Sequence, residues 1–260
     1  MNNLLKQFDS ISLSQMEEQM WSIGLDRMEK KYITHISNLE SILKDLQDEY
    51  VALEIKWVRE FGYHNIYFDT DEYKFFHEHW HGLKVRTKLR TRKYIDSKLA
   101  FFEYKQRDHD TIRKFKFDIQ LNKHWKFTKR CKLFTDKLYQ SIYQTGLESQ
   151  VVPALITEYT RSTLCSKKND ERITFDTDLH FTDARRKDWK PTYMPGIVLI
   201  ESKSWSLSHK AEAILQKHGV VNMNGISKYC LGILLEGIQE KQYERFEKVL
   251  EYIEHIQDNS

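Results

Sequence analysis

Four cations stand at alternate positions of one short stretch, Arg86, Lys88, Arg90 and Arg92, and that spacing constrains the fold more than any other feature. Side chains alternate across a strand, so in an extended conformation all four share one face. The intervening Thr87, Leu89, Thr91 and Lys93 include two β-branched residues, which suit a pleated surface better than a helix. Like charges in a row repel one another. The fold must therefore supply water, acidic neighbours or a bound anion.

The same alternation of charge against apolar or β-branched residues recurs along the chain. Arg27, Glu29, Lys31 and Ile33 alternate with Met28, Lys30 and Tyr32 in a first strand. Residues 51 to 68 read as one or two further strands ending at Ile66-Tyr67-Phe68, with the turn at Asp69-Thr70-Asp71. Glu103, Lys105 and Arg107 share a face of Leu99 to Arg107, and Lys114 and Lys116 oppose Phe115 and Phe117 in the paired arm of a hairpin. A second hairpin has Tyr159, Arg161 and Thr163 on one arm and Arg172, Thr174, Asp176 and Asp178 on the other. Ile197 to Trp205 puts Glu201 and Lys203 on one side and Val198 and Ile200 on the other. Any one of these strands could simply show its charges to solvent. Six or more with both signs on the same face, and amphipathic helices to cover the other, predict an α+β protein: a closed antiparallel β-barrel with a polar, cation-lined lumen.

Helical spacing appears at Leu4 to Trp21, where Ser14 and Glu17 could start a second short helix, and again at Ile36 to Leu46, with Ser37 and Glu40 in capping-box spacing. It returns at residues 134 to 145, stopping near Gly146, at Lys210 to His218, and at Phe246 to Ile256. The terminal segments are expected to pack onto their own domain, with a membrane-protein partner as the alternative. Composition gives no global field: Lys and Arg number 41 against 38 Asp and Glu, so any anion site must come from local clustering, and nucleic acid is not an expected partner. Cys131, Cys165 and Cys230 form no CxxC, which fits a reducing compartment. With no signal peptide and no long apolar run, a cytoplasmic protein is expected, attached to a membrane only through a partner. Few glycines and prolines favour one domain over residues 25 to 235, with a helical extension over 1 to 24 and a C-terminal helix over 236 to 260.

A converging surplus of Arg and Lys suits a polyanion, and the minority carboxylates Glu29, Glu103 and Glu201 suit a hard divalent cation, Mn2+ or Mg2+. At this point the motifs resemble a known family. Glu29-Lys30-Lys31-Tyr32, Tyr67-Phe68-Asp69-Thr70, the stretch from Arg86 to Tyr94, Glu103-Tyr104-Lys105, Lys114-Phe115-Lys116-Phe117, Tyr159-Thr160-Arg161, the stretch from Arg172 to Asp178, Glu201-Ser202-Lys203 and Ser227-Lys228-Tyr229-Cys230 are similar, in order, to those of the VTC domain. That domain is the polyphosphate polymerase domain of the triphosphate tunnel, or CYTH-like, superfamily. The resemblance covers about residues 25 to 235. It implies a tunnel barrel that grips ATP or polyphosphate, a glutamate that helps hold manganese or magnesium, and transfer of a γ-phosphate to a growing chain. Carried over motif by motif, it implies phosphate binding by Lys31, Arg90, Arg92, Lys105, Lys114, Arg161 and Arg172, with metal at Glu201 and Lys228 at the catalytic centre. Lys203 and Lys116 join the phosphate-binding cations, although Lys116 stands where the family more commonly has arginine, so a bidentate contact is not expected there.

Two other motifs compete. His77-Glu78-His79-Trp80-His81 lacks HExxH spacing and is expected to be an exposed turn. Asp176 and Asp178 are candidates either for catalysis or for neutralising lumenal arginines. No Walker A loop occurs. Three functions remain in play: a metal-dependent polyphosphate polymerase, a tunnel-fold triphosphatase, and a non-catalytic polyphosphate- or nucleotide-binding module.

Overall fold

The segments with a two-residue period pair into one large, mostly antiparallel sheet. In the computed structural model, residues 1–21, 28–109, 111–168, 170–188, 190–205, 210–223, 225, 227–238 and 244–258 are described; Arg27, expected on the first strand, lies outside them. In chain order the elements are α1 (Asn2–Leu5), β1 (Ser10–Ile11), α2 (Leu13–Trp21), β2 (Met28–His35), α3 (Leu39–Leu46), β3 (Tyr50–Leu53), β4 (Glu60–Thr70) and α4 (Lys74–Trp80). They continue with β5 (Val85–Tyr94), β6 (Leu99–Asp108), β7 (Thr111–Asp118), α5 (Lys129–Tyr143), β8 (Val151–Ser166) and β9 (Glu171–Asp183). The last are β10 (Thr192–Met194), β11 (Ile197–Ser204), α6 (Lys210–Lys217), β12 (Val221–Asn222), α7 (Lys228–Leu235) and α8 (Glu244–Asp258).

The strand order is β12-β2-β11-β9-β8-β4-β5-β6-β7, with β10 on β9, β3 on β8, and β1 parallel to β3. The expected barrel closure is not made: among the described residues no ladder joins β7 to β2 or β12. The edges explain this. β12 covers β2 only at Tyr32 and Ile33, while β7 carries Lys114 and Lys116, which closure would bring toward the Lys31 end of β2, and like charges set opposite each other weaken a ladder. The sheet nevertheless curls. Although β2 and β6 are far apart in the strand order, the charge of Lys105 acts directly on the Glu29 carboxyl, so the two strands face each other across a lumen.

Helices cover the convex face. Tyr32, Ile173, Phe175, Val198 and Ile200 are buried beneath α1, α3 and α6, and Phe68, Leu89, Phe102 and Tyr104 are buried beneath α5. Each such side chain contributes about 1.5–3 kcal/mol by leaving water. The outward residues of the basic strand are accommodated here: Thr87 Oγ1 bonds Gln106 at 2.7 Å, and Thr91 Oγ1 donates to His124 O at 2.7 Å.

On the concave face the character changes along the strands. Lys31 gives way to Ile33, Glu201 to Leu199, and Arg161 to Leu155, and the apolar end is filled by α4, α7 and α8 through residues such as Trp80, Leu231 and Phe246. Docking of α7 is close, because a Cβ on Gly232 would stand 2.5 Å from both Leu155 Cδ2 and Phe181 Cδ1. The C-terminal helix thus spends its apolar stripe on its own domain, as Leu5 and Phe8 do at the N-terminus. A membrane-protein partner would have to meet the outer, polar faces. No described helix is long and apolar enough to cross a membrane.

Several local expectations are corrected. The His77 to His81 segment is not an exposed turn: α4 runs through it, with Glu78 and Trp80 buried. Ser14 and Glu17 do not begin α2; Ser12 and Gln15 exchange the reciprocal capping bonds instead. Ser37 caps nothing, since a 3-10 turn over Ile36–Asn38 precedes α3 and the His35 ring accepts from Ser37 N–H. α5 starts earlier than expected, after a Thr128 cap, and ends at Gln144 rather than Gly146.

Candidate functional site

Cross-strand register assembles the charged end of the lumen. Lys31 pairs with Glu201, Lys203 with both Glu29 and Arg172, Arg161 with Asp176, Arg90 with both Tyr67 and Glu103, and Lys105 with both Lys88 and Lys114. Directly opposed residues share a face, so the period-2 cations of seven strands converge on one surface.

On the β2, β11, β9 and β8 wall, charges come in pairs. Lys203 bonds Glu201, Lys31 lies 3.3 Å from Glu29, and Arg161 holds Asp176 through two bonds of 2.6 and 2.7 Å. Lys228, from the first turn of α7, also reaches Asp176 and lies over the Tyr159 ring at 4.8 Å. Burial opposes ionisation of Asp176, but Arg161 and Lys228 hold its carboxyl below the usual range. Asp176 thus balances the charges of Arg161 and Lys228. Asp178 is not part of this set: a bulge between Glu158 and Thr160 breaks the register, Asp178 takes a positive φ of 51°, and its side chain is exposed. That corrects the expected Arg172-Thr174-Asp176-Asp178 face.

On the β5, β6 and β7 wall, one carboxylate serves several cations. Glu103 Oε2 accepts from Arg90 Nε at 2.6 Å, and its Oε1 lies 2.5 Å from Lys114 Nζ. Burial pushes against it, yet Arg90, Arg92 and Lys114 keep Glu103 well below the usual carboxylate range. Arg92 has no carboxylate partner among the described residues. It donates to Asn65 Oδ1 at 2.9 Å and to Tyr159 OH at 3.2 Å, and it lies over Tyr63, which stacks on Tyr159. Lys88 Nζ donates to Ser227 Oγ at 2.7 Å. Lys105 has neither an ion pair nor a hydrogen bond among the described residues, and Lys116 is exposed and lies over the Phe101 ring. Burial, followed by neighbouring cations, pushes Lys88 well below the ordinary lysine value and Lys105 below it too. Burial likewise brings Lys114 down to about 7 and Lys203 to about 8.

The structure brings together the predicted Lys31, Arg90, Arg92, Lys105, Lys114, Arg161, Lys203, Lys228, Glu29, Glu103 and Glu201. Arg172 lies at the same end, opposite Lys203. Lys116 occupies the exposed edge. Arg86 and Arg107 bond backbone carbonyls near the strand ends, at Leu83 and His109. Lys88 is drawn toward the start of α7 by its bond to Ser227.

Metal ligation was expected of Glu29, Glu103 and Glu201. Glu29 and Glu201 lie close enough for the charge of Glu201 to raise the Glu29 carboxyl, with Lys105, Lys31 and Lys203 outweighing that rise and the burial that adds to it. Glu103 lies apart, both its oxygens held by Arg90 and Lys114. No group of three or more potential ligands gathers among the described residues. Two carboxylates fit a hard divalent cation whose remaining oxygens come from phosphate and water.

Sequence reasoning missed the partners that place α4 and α7. Asp69, at the end of β4, accepts from Thr70, Phe75 and Phe76 N–H at 2.7 to 2.8 Å and from Tyr229 OH. Burial pushes it up to about 6, and these four donors keep it ionised at neutral pH. One buried carboxylate thereby fixes the start of α4 and anchors α7, whose Lys228 and Ser227 reach opposite walls. The Tyr67-Phe68-Asp69-Thr70 motif contained it, but read as a turn.

No curated protein matches the chain. Among solved structures, a Pyrococcus horikoshii protein aligns at 17% identity over 82% of this chain and 99% of its own, with a TM-score of 0.42. An adenylyl cyclase-like protein of Hippeastrum with a dominant triphosphatase activity aligns at 13% identity over 84% and 100%, with a TM-score of 0.47. A Vibrio parahaemolyticus protein proposed to be an adenylate cyclase aligns at 13% identity over 80% and 98%, with a TM-score of 0.45. Scores this low leave activity to be argued from the site. The VTC domain profile, by contrast, matches residues 26–236, most of the chain. With its motifs in order on one curled sheet, the chain belongs to the VTC domain family.

Proposed function

We propose that this chain is a metal-dependent phosphotransferase that moves the γ-phosphate of a nucleoside triphosphate, ATP in the first instance, onto a polyphosphate chain held in the lumen. The observation that carries the reading is the imbalance of the β5, β6 and β7 wall. Among the described residues Arg92, Lys88, Lys105 and Lys116 have no carboxylate ion pair, and a phosphate chain would supply the missing charge at regular spacing.

Phosphoryl transfer asks little covalent chemistry of the protein; positioning and charge stabilisation suffice. Arg90, Arg92 and Arg161 offer fork-shaped donors to equatorial phosphate oxygens, and Lys31, Lys88, Lys105, Lys114, Lys116 and Lys203 offer point charges, with Arg172 beside them. Lys228, held over the lumen by Asp176 and Tyr159, is placed to meet the charge that develops between donor and acceptor. Glu29 and Glu201 would hold Mn2+ or Mg2+, which when bound neutralises phosphate charge and polarises phosphorus. A terminal phosphate oxygen attacks the γ-phosphorus, the bond to the β-phosphate oxygen breaks, and the nucleoside diphosphate leaves with that oxygen.

What favours phosphate over water as acceptor is the state of the carboxylates. Asp176, Glu29, Glu103 and Glu201 are all held below their ordinary values by cations, which makes them poor bases for activating water. A terminal phosphate is already an anion and needs no base. Incubation of the pure protein with ATP and manganese tests this: long chains are expected. Free phosphate alone would mark a triphosphatase, and binding without turnover a binding module.

A further inference from the structure

We infer that His79 is a further phosphate-contacting residue of this site, one that takes up a proton from solvent when a phosphate chain arrives and binds it as an imidazolium. The inference rests on the proposed reading of the lumen as a phosphate-chain site.

His79 lies in the last turn of α4, and α4 is fixed from both ends and both flanks. Asp69 caps its start; Glu78 Oε2 accepts from Thr87 N–H of β5 at 2.9 Å and from Tyr143 OH of α5 at 3.0 Å; Trp80 stacks on Phe246 of α8 at 4.5 Å. With Glu78 bound to β5 and Trp80 sunk into the core, His79 is half-buried on a rigid helix. Its ring makes no hydrogen bond, ion pair or ring contact among the described residues, so it lacks the partner that a structural core histidine normally has.

Its neighbour Glu78 holds Thr87 N–H, which Arg86 and Lys88 flank on β5, and the charges that act on His79 are cationic: Lys88 and Arg86, Lys105 from β6 and Lys31 from β2. From α7 the Cys230 thiol acts on Lys88, and burial pushes that thiol up. On its own helix, His77 and His81 stack on each other, and Glu78 is committed to Thr87 and Tyr143. Glu29 and Glu201 are engaged by Lys31 and Lys203. Burial, then these four cations, hold the imidazole well below its ordinary value, so it is neutral in the free protein at pH 7. A phosphate chain settling on Lys88 and Lys105 reverses the local sign of charge. The ring then gains a proton and a phosphate oxygen together. Lys114 and Lys203 change state at about 7 and about 8, and Lys88 is also lowered, so the share of proton uptake that belongs to His79 is read as the difference between wild type and H79Q.

Tripolyphosphate binding to the full chain, measured by calorimetry at pH 5.5 and 7.5 in buffers of different ionisation enthalpy, tests the inference against His79→Gln. Wild type is expected to bind about tenfold tighter than H79Q at pH 5.5, the equivalent of one pKa unit, with a smaller ratio at pH 7.5 and with proton uptake that H79Q reduces. In the wild-type chain, the His79 ring resonance, assigned through its backbone, is expected to move toward the imidazolium position as tripolyphosphate is added; this readout serves if H79Q folds poorly. Equal affinities at both pH values, or a ring resonance that stays neutral on saturation, would overturn the inference and leave the site reading intact. Failure of wild type to bind tripolyphosphate at all would overturn the site reading, and His79 with it.

Discussion

On the wall built by β2, β11, β9 and β8, Lys31, Lys203 and Arg161, together with Lys228 of α7, each have a carboxylate at ion-pair distance. On the wall built by β5, β6 and β7, Arg90 and Lys114 share Glu103, while among the described residues Arg92 leans on an amide and a phenol and Lys88 on a hydroxyl. The same residue types therefore play two parts. Each of these four cations on the first wall meets a carboxylate in the free protein, Arg161 and Lys228 sharing Asp176, so its charges hold the fold and place Lys228 and the Glu29 and Glu201 pair. The second is left incomplete, and its unbalanced charge is what recognises an anion. A buried charge without a partner costs free energy, and a protein keeps such charges where a ligand will meet them.

Substitutions on the two walls are expected to have different effects. The largest effect is expected for Glu201→Gln on the first wall: turnover with ATP and manganese falls on the order of 10²-fold while the circular dichroism spectrum is unchanged, and unaltered turnover would remove its metal role. Next, Asp176→Asn strips Arg161 and Lys228 of their shared partner and is expected to cost about 3–5 kcal/mol in denaturant unfolding, part of it restored by tripolyphosphate. Asp69→Asn comes third, at about 1–3 kcal/mol, because an amide cannot accept from all four of the donors that meet there. On the second wall the sign reverses. Lys105→Met removes a repelled cation, so the free protein is expected to melt slightly higher, while tripolyphosphate affinity drops about tenfold. A Lys105→Met protein that melts lower and binds normally would abolish the distinction between the walls.

The pH dependence carries the same contrast. Lys203, buried and brought to about 8, lies below the unfolded lysine value, and exposed Lys114 is lowered in the same direction, so between about pH 8 and 10 the unfolded chain binds more protons than the folded one. These groups make the free protein more stable as pH rises through that window. Phosphate affinity moves the opposite way, falling as the same lysines lose charge. Melting temperature and tripolyphosphate affinity measured from pH 7 to 9 are expected to diverge.

Much of the site was legible because a strand shows its period directly: Arg90, Arg92, Glu103, Lys105, Arg161 and Glu201 reach one surface by parity alone. What parity cannot show is where it breaks. The bulge that turns Asp178 outward has no glycine or proline to announce it. α4 was hidden because its start is set by Asp69, whose three backbone donors exist only once the chain has turned, and its flank by Glu78, which bonds a strand nine residues away. The open edge between β7 and β2 was equally invisible, since it depends on which charges a closed ladder would oppose. Nor does parity show that Ser227, 139 residues on, is the partner of Lys88.

The most direct measurement is the thermal stability of the wild-type protein titrated with tripolyphosphate and, separately, with orthophosphate at equal ionic strength. A cation wall completed by a phosphate chain predicts a melting temperature that climbs with tripolyphosphate at concentrations where orthophosphate does little, and a climb that shrinks in Lys105→Met. Equal response to the two anions, or none to either, would contradict it.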